Sequence, residues 1–160
     1  MHFSGEQTIN APMQAVWDYF MDPNKVAECA PGFKSMETLA PDHFKPTLAV
    51  GVGAVKATFT LDVRLADLQP TSHAAVEARG MAAGSAVDIR SVMDLTAESD
   101  TVTHLGWTAD VNVSGTLASM GARLLEGTAH KMTARFFDCV RQKLEAPAAI
   151  PSPAPSPGGP

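Results

Sequence analysis

Between Val55 and Leu65, apolar and polar residues exchange at every step. Val55, Ala57, Phe59, Leu61, Val63 and Leu65 alternate with Lys56, Thr58, Thr60, Asp62 and Arg64. A repeat of two fits only an extended strand that buries one face and wets the other. Val87, Ile89, Met93 and Leu95 repeat the pattern, with Ser91 as a polar interruption. So do Leu105, Trp107, Ala109, Val111 and Val113, opposite His104, Thr108, Asp110 and Asn112. From residue 33 to about 113 the chain therefore reads as short-turned antiparallel strands, a meander.

The pattern then changes period. Leu117, Met120, Leu124, Thr128, Met132, Phe136, Val140 and Leu144 fall at steps of three and four, with Gly121 and Cys139 on the same stripe. This predicts one long helix over 116–145, capped at its start by Ser114 or Thr116. Residues 2–9 suit a first strand. Asn10-Ala11-Pro12 opens a short helix carrying Val16, Trp17, Phe20 and Met21, and Asp22-Pro23-Asn24 ends it and begins a second that stops at Ala30-Pro31-Gly32. The expected class is α+β: a seven-stranded curved antiparallel sheet wrapped around a long C-terminal helix, with two short helices after the first strand. Residues 1–145 form the domain, and the Pro-rich segment 146–160 is expected to be a disordered tail.

Three turns stand out because they lack charge: 50–55 around Gly51 and Gly53, 80–86 around Gly84, and 113–118 around Gly115. The turns between them, at 40–42, 68–72 and 98–100, are polar. Alternate turns of a meander lie at the same end, so one rim is expected to be polar and the other apolar and pliable. Ordinary hairpin geometry accounts for the glycines, but not for the missing polar residues.

Composition narrows the function. The chain has 160 residues, 12 basic and 17 acidic side chains and a net charge of −5, without a polybasic run. A nucleic-acid partner is not expected. No apolar stretch is long enough to span a bilayer and the N-terminus lacks a signal-peptide pattern, so cytoplasmic residence is the expectation. Cys29 and Cys139 form no CxxC pair and are read as buried small apolar residues rather than a disulfide or metal site. The five histidines show no ligand spacing, and His104 and His130 are expected to face solvent. No Asp or Glu falls on an inward face, so no catalytic residue is assigned. Gly51-Val52-Gly53 lacks the strand–GxGxxG–helix setting of a dinucleotide loop, because a strand follows it. Ser91 and Thr128 are the polar groups on apolar faces; Arg123 and Glu126 are expected near the mouth, as an exposed ion pair or a docking pair.

Several segments in this order resemble one family: Phe3-Ser4-Gly5-Glu6, Ala11-Pro12 with Val16-Trp17, Cys29-Ala30-Pro31-Gly32, Val50 to Lys56, Ala82-Ala83-Gly84, Ser114 to Ala118, and Arg123 to Gly127 with Phe136-Phe137. The chain resembles the carbon monoxide dehydrogenase G-subunit family, within the START/Bet v 1-like helix-grip superfamily. Phe33 departs from it, standing where a small or thiol residue is expected. The resemblance implies a non-catalytic accessory protein of a molybdenum-containing CO dehydrogenase or related hydroxylase, helping to attach that enzyme to the membrane.

It also implies a cavity between sheet and helix that holds a hydrophobic small molecule. The expected lining is Phe33, Phe59, Leu61, Ile89, Met93 and Leu105 from the strands, with Trp107. From the closing helix come Leu117, Met120, Leu124, Thr128, Met132 and Phe136. The hairpins expected to gate it are Val50, Gly51, Val52 and Gly53, then Met81, Ala82, Ala83 and Gly84; Gly115 completes the rim. A membrane quinone, menaquinone or ubiquinone, is the preferred ligand, with no metal or covalent cofactor. The expected place is the cytoplasm, peripherally on the inner face of the cell membrane.

Overall fold

The computed structural model describes residues 1–149. Seven strands run in chain order: β1 (His2–Ile9), β2 (Phe33–Ala40), β3 (His43–Val52), β4 (Val55–Gln69), β5 (His73–Ala82), β6 (Ser85–Ser99) and β7 (Val102–Gly115). Helices α1 (Met13–Phe20) and α2 (Pro23–Cys29) lie between β1 and β2, and α3 (Ala122–Ala149) follows β7. The strands form one antiparallel curved sheet in the order β1-β7-β6-β5-β4-β3-β2. The meander is thus as expected, and β1 returns to pair with β7, from His2 opposite Asp110 to Ile9 opposite Thr103.

The alternation dictates the faces. Phe59, Leu61 and Val63 are buried, while Thr60 and Asp62 between them are not. On the outer face the charges pair across strands: Arg79 with Asp88 at 2.8 Å, and Arg90 with Asp67 at 3.2 Å and with Glu77. Four histidines join this polar surface through carboxylates: His2 to Asp110, His43 to Asp62, His73 to Asp94 and His104 to Glu6. His130 sets its ring edge-on against Phe3 of β1.

Helix α3 spans the concave face, touching β1 on one side and β3 on the other. Arg141 donates to the Gln7 side chain of β1, and Phe137 stacks on Trp107 of β7. The single helix expected over 116–145 is instead a short 3-10 turn, Leu117–Met120, then α3. Gly121 separates them with φ +97°, a conformation L side chains rarely adopt. The expected capping by Ser114 or Thr116 is also replaced. The Leu117 amide donates to the buried hydroxyl of Ser85, from the neighbouring hairpin, at 3.0 Å. The helix runs to Ala149, so residues 146–149, expected in the tail, belong to it; the rest of the expected tail, from residue 150, lies outside the described residues.

The apolar interior is in two parts. One lies toward the polar-turn end: Ile9, Val16, Trp17, Tyr19, Leu95 and Leu105, closed by Phe137 and Val140 of α3. The other lies toward the apolar-turn end: Val52, Phe59, Leu61, Val63 and Leu117.

The two cysteines overturn their expected role. Cys29 at the end of α2 and Cys139 in α3 form a disulfide, their Cα atoms 5.4 Å apart across 110 residues of sequence. Side-by-side packing of α2 and α3 brings them together. The Tyr19 hydroxyl lies 3.0 Å from the Cys29 sulfur and donates to the Lys25 carbonyl at 3.0 Å. Burial, helped by Glu28 and Asp22, pushes the Tyr19 phenol above its usual 10.

Candidate functional site: a groove between β3 and the closing helix

A cleft of about 860 Å³ opens where β3 faces the first half of α3. One wall is Ala49, Val50 and Gly51 of β3 with Gly53 of the following turn, and Pro31 and Gly32 form its floor-side edge. The other wall starts at Met120 and Gly121 and continues along α3 through Leu124, Thr128 and Met132. Arg123, Gly127, Lys131 and Arg135 complete it, a row at steps of four along one helix face.

Local sequence explains why the cleft exists. Gly32 adopts φ +76°, and a Cβ there would lie 1.9 Å from the Ala49 carbonyl oxygen. The bare backbone lets the α2–β2 loop lie against β3, where the Ala49 amide donates to the Gly32 carbonyl at 2.8 Å. Gly51 on this wall, and Gly121 and Gly127 across the cleft, each face open space: a Cβ at any of them would meet nothing within 4 Å. A glycine inside a helix costs roughly 0.5–1 kcal/mol relative to alanine, so Gly127 weakens α3 where it widens the groove.

The gate turns differ from one another. The β5–β6 turn is bolted to the start of the closing segment: the Thr116 amide donates to the Gly84 carbonyl at 2.8 Å, and a Cβ on Gly115 would lie 2.0 Å from that oxygen. Met81 on this hairpin is 55% exposed, Ala82 is half-buried, and Ala83 and Gly84 are exposed. The β3–β4 turn instead faces side chains of the closing segment: a Cβ on Gly53 would lie 3.3 Å from Leu124 of α3 and 3.7 Å from Met120 of the 3-10 turn. Among the expected gate residues, Val50, Gly51 and Gly53 line the groove, while Val52 is buried in the second core.

The expected lining divides in the same way. Met120, Leu124, Thr128 and Met132 come together on the α3 wall. Phe59, Leu61 and Leu117 are packed into the second core, and Leu105 into the first. Met93, Trp107 and Phe136 lean on the first core half-buried. Ile89 is half-buried on β6 between Ala78 and Val111, and Phe33 is 37% exposed at the start of β2. These inward-facing strand residues fill the space beneath the helix with protein, which moves the open volume to the β3 side. Ser91 donates to the Thr108 carbonyl at 2.9 Å, so its hydroxyl is satisfied. Trp107 is different: its ring lies over Gly5, and its buried Nε1 has no hydrogen-bond partner.

Pro31, Gly32, Ala49, Arg123, Lys131 and Arg135 are site residues that the strand alternation does not reveal. The signal for the last three was the four-residue spacing around Gly127. Arg123, expected near the mouth, does border the groove, but it makes no ion pair with Glu126 or any other carboxylate among the described residues. Among the described residues no group of three or more His, Cys, Asp or Glu could hold a metal ion, and no helix is long and apolar enough to cross a membrane.

Sheet and closing helix accord with the comparisons. Residues 5–145 match the family of the carbon monoxide dehydrogenase G subunit (CoxG). The chain belongs to that family. A conserved protein from Geobacillus kaustophilus has a similar structure, with a TM-score of 0.86 at 28% identity, covering 91% of this chain and 96% of its own. The ZhuI aromatase/cyclase from Streptomyces sp. R1128 superposes with a TM-score of 0.71 at 18% identity, covering 96% and 99%. A START superfamily protein from Mycobacterium smegmatis does so at 0.68 and 11%, covering 91% and 97%. The last two likenesses establish the fold. No curated protein matches. The CoxG-family chain thus has the helix-grip architecture of START- and cyclase-like proteins, with its open volume beside the closing helix.

Proposed function

We propose that this CoxG-family protein is a non-catalytic accessory protein that holds a hydrophobic small molecule in the β3–α3 groove. The observation that carries this reading is the groove itself: apolar side chains from two elements, with Gly51, Gly121 and Gly127 leaving room between them. Its volume lies within the roughly 300–1,000 Å³ usual for small-molecule sites. The preferred ligand is a membrane quinone, menaquinone or ubiquinone, and the partner a molybdenum-containing CO dehydrogenase-type oxidoreductase, linked in this way to the membrane. The family's description as a component of carbon monoxide dehydrogenase supports that partner. Leu124 and the β3–β4 turn form the doorway, and each tail methylene buried contributes about 0.8 kcal/mol.

Quinone extraction and mass spectrometry of the purified protein, with titration of decylubiquinone, tests the carrier reading. A stoichiometric quinone, or saturable binding, supports it; neither co-purification nor binding overturns it. Co-precipitation with the molybdenum enzyme tests the partner. Residence at the inner face of the cell membrane belongs to the same proposal. The Cys29–Cys139 disulfide weighs against the cytoplasm, since such bonds persist mainly in oxidising compartments. Thiol labelling of the protein in intact cells decides: labelled cysteines fit the cytoplasm, and a protected cystine places the chain elsewhere.

A further inference from the structure

The groove has a polarity that a neutral ligand does not use. Arg123, Lys131 and Arg135 border it, and no Asp or Glu does, in a chain of net charge −5. Of the six arginines, Arg64, Arg79, Arg90 and Arg141 each sit within ion-pair distance of a carboxylate. The two without such a partner among the described residues, Arg123 and Arg135, both face the groove. Of the carboxylates on the neighbouring helical surface, Asp138 is engaged by Arg141 at 2.8 Å and Glu28 by Lys143 at 3.2 Å, while Glu126 does not line the groove. Lys131 and Arg135 are one turn apart, about 6 Å along the axis, while Arg123 lies about 12 Å beyond Lys131 toward the mouth. Leu124 and Met120 occupy the stretch of wall on the mouth side of Lys131.

We propose that the groove selects an amphiphile with an anionic head, a carboxylate or phosphate, seated between Lys131 and Arg135, its hydrocarbon tail running past Leu124 and Met120 to the β3–β4 turn. Two cations one turn apart suit the oxygens of one such head, because charge-assisted hydrogen bonds to carboxylate and phosphate are the strong ones. This rests on the reading that the groove takes a hydrophobic ligand, and it ranks an anionic amphiphile above the neutral quinone preferred there. Ligands sharing a tail are ranked by head charge.

Calorimetric titration with dodecanoate, dodecyl phosphate, dodecanol and inorganic phosphate tests it, with decylubiquinone as a neutral control. Dodecanoate or dodecyl phosphate binds at least about tenfold tighter than dodecanol, the scale of one good charge-assisted hydrogen bond. The Lys131→Gln, Arg135→Gln double variant erases that preference by weakening the anions at least about tenfold, with a much smaller change for dodecanol; both residues are exposed, and a thermal melt confirms folding. Of the two anionic probes, the tighter one names the head class. Equal binding of dodecanol and both anions, or a preference that survives the double variant, overturns the proposal. So does inorganic phosphate binding as tightly as dodecyl phosphate, which means an anion site without a tail channel. If dodecanol or decylubiquinone binds and neither anion binds better, only this inference falls. If no tailed compound binds at all, the hydrophobic-ligand reading falls with it.

Discussion

The two ends of the sheet treat the closing helix in opposite ways. At the polar-turn end, α3 is driven into a dry core by Phe137 and Val140, tied to α2 by the Cys29–Cys139 disulfide and held to β1 through Arg141 and Gln7. At the apolar-turn end the same helix begins at a glycine break. Leu124 faces the β3–β4 turn, beside Met120 of the preceding 3-10 turn, and a cleft is left where Gly127 and Gly51 add no side chain. The ties that hold the helix are concentrated at one end, and the cleft opens at the other. Binding sites often sit on the less stable part of a fold.

Alanine at equivalent leucines in the two regions should show the largest contrast. Leu105→Ala, at a fully buried position in the first core, should cost about 2–5 kcal/mol in urea unfolding. Leu124→Ala, 39% exposed on the groove wall, should cost under about 1 kcal/mol while weakening ligand binding. Similar losses at both would erase the distinction. Next in size is the staple. Replacing both cysteines by serine should lower stability by about 2–4 kcal/mol, because the bond closes a long loop in the unfolded chain. Ligand affinity measured well below the melting transition should change far less.

At the open end the sign reverses. Gly127→Leu should raise the melting temperature slightly, since leucine is favoured over glycine in a helix by up to about 1 kcal/mol and the new side chain meets open space. The smallest effect is alkaline. Tyr19 holds its proton more tightly folded than unfolded, so its contribution is complete below pH 10 and is lost as pH rises through the raised folded value. Wild-type stability should therefore decline above pH 10 more steeply than that of Tyr19→Phe, and parallel curves would contradict the buried-phenol account.

Much of the fold was legible because strand alternation and helical spacing are local patterns. Val55–Leu65 announces its two faces without any knowledge of neighbours, and the order of turns predicts the two rims. The disulfide was not legible: Cys29 and Cys139 meet only after α2 and α3 pack, and their 110-residue separation gives no local sign. The groove was half legible. Inward direction is encoded by the period of two, but whether an inward residue meets a ligand or another side chain depends on where the helix lies. Phe59 and Leu105 point inward and are buried by protein, whereas Met120, Leu124, Thr128 and Met132 border the opening. Gly32 could be read only as a turn former; its close approach to Ala49 is a tertiary fact.

The central claim is that the β3–α3 groove seats the hydrophobic ligand, and one titration tests it most directly. Decylubiquinone is titrated into wild-type protein and into Gly127→Leu, with melting temperatures measured alongside. The account predicts saturable binding to the wild type and, in a variant at least as stable, an affinity reduced by about tenfold or more as the leucine fills the groove. Equal affinity for both proteins would place the ligand elsewhere and contradict the account.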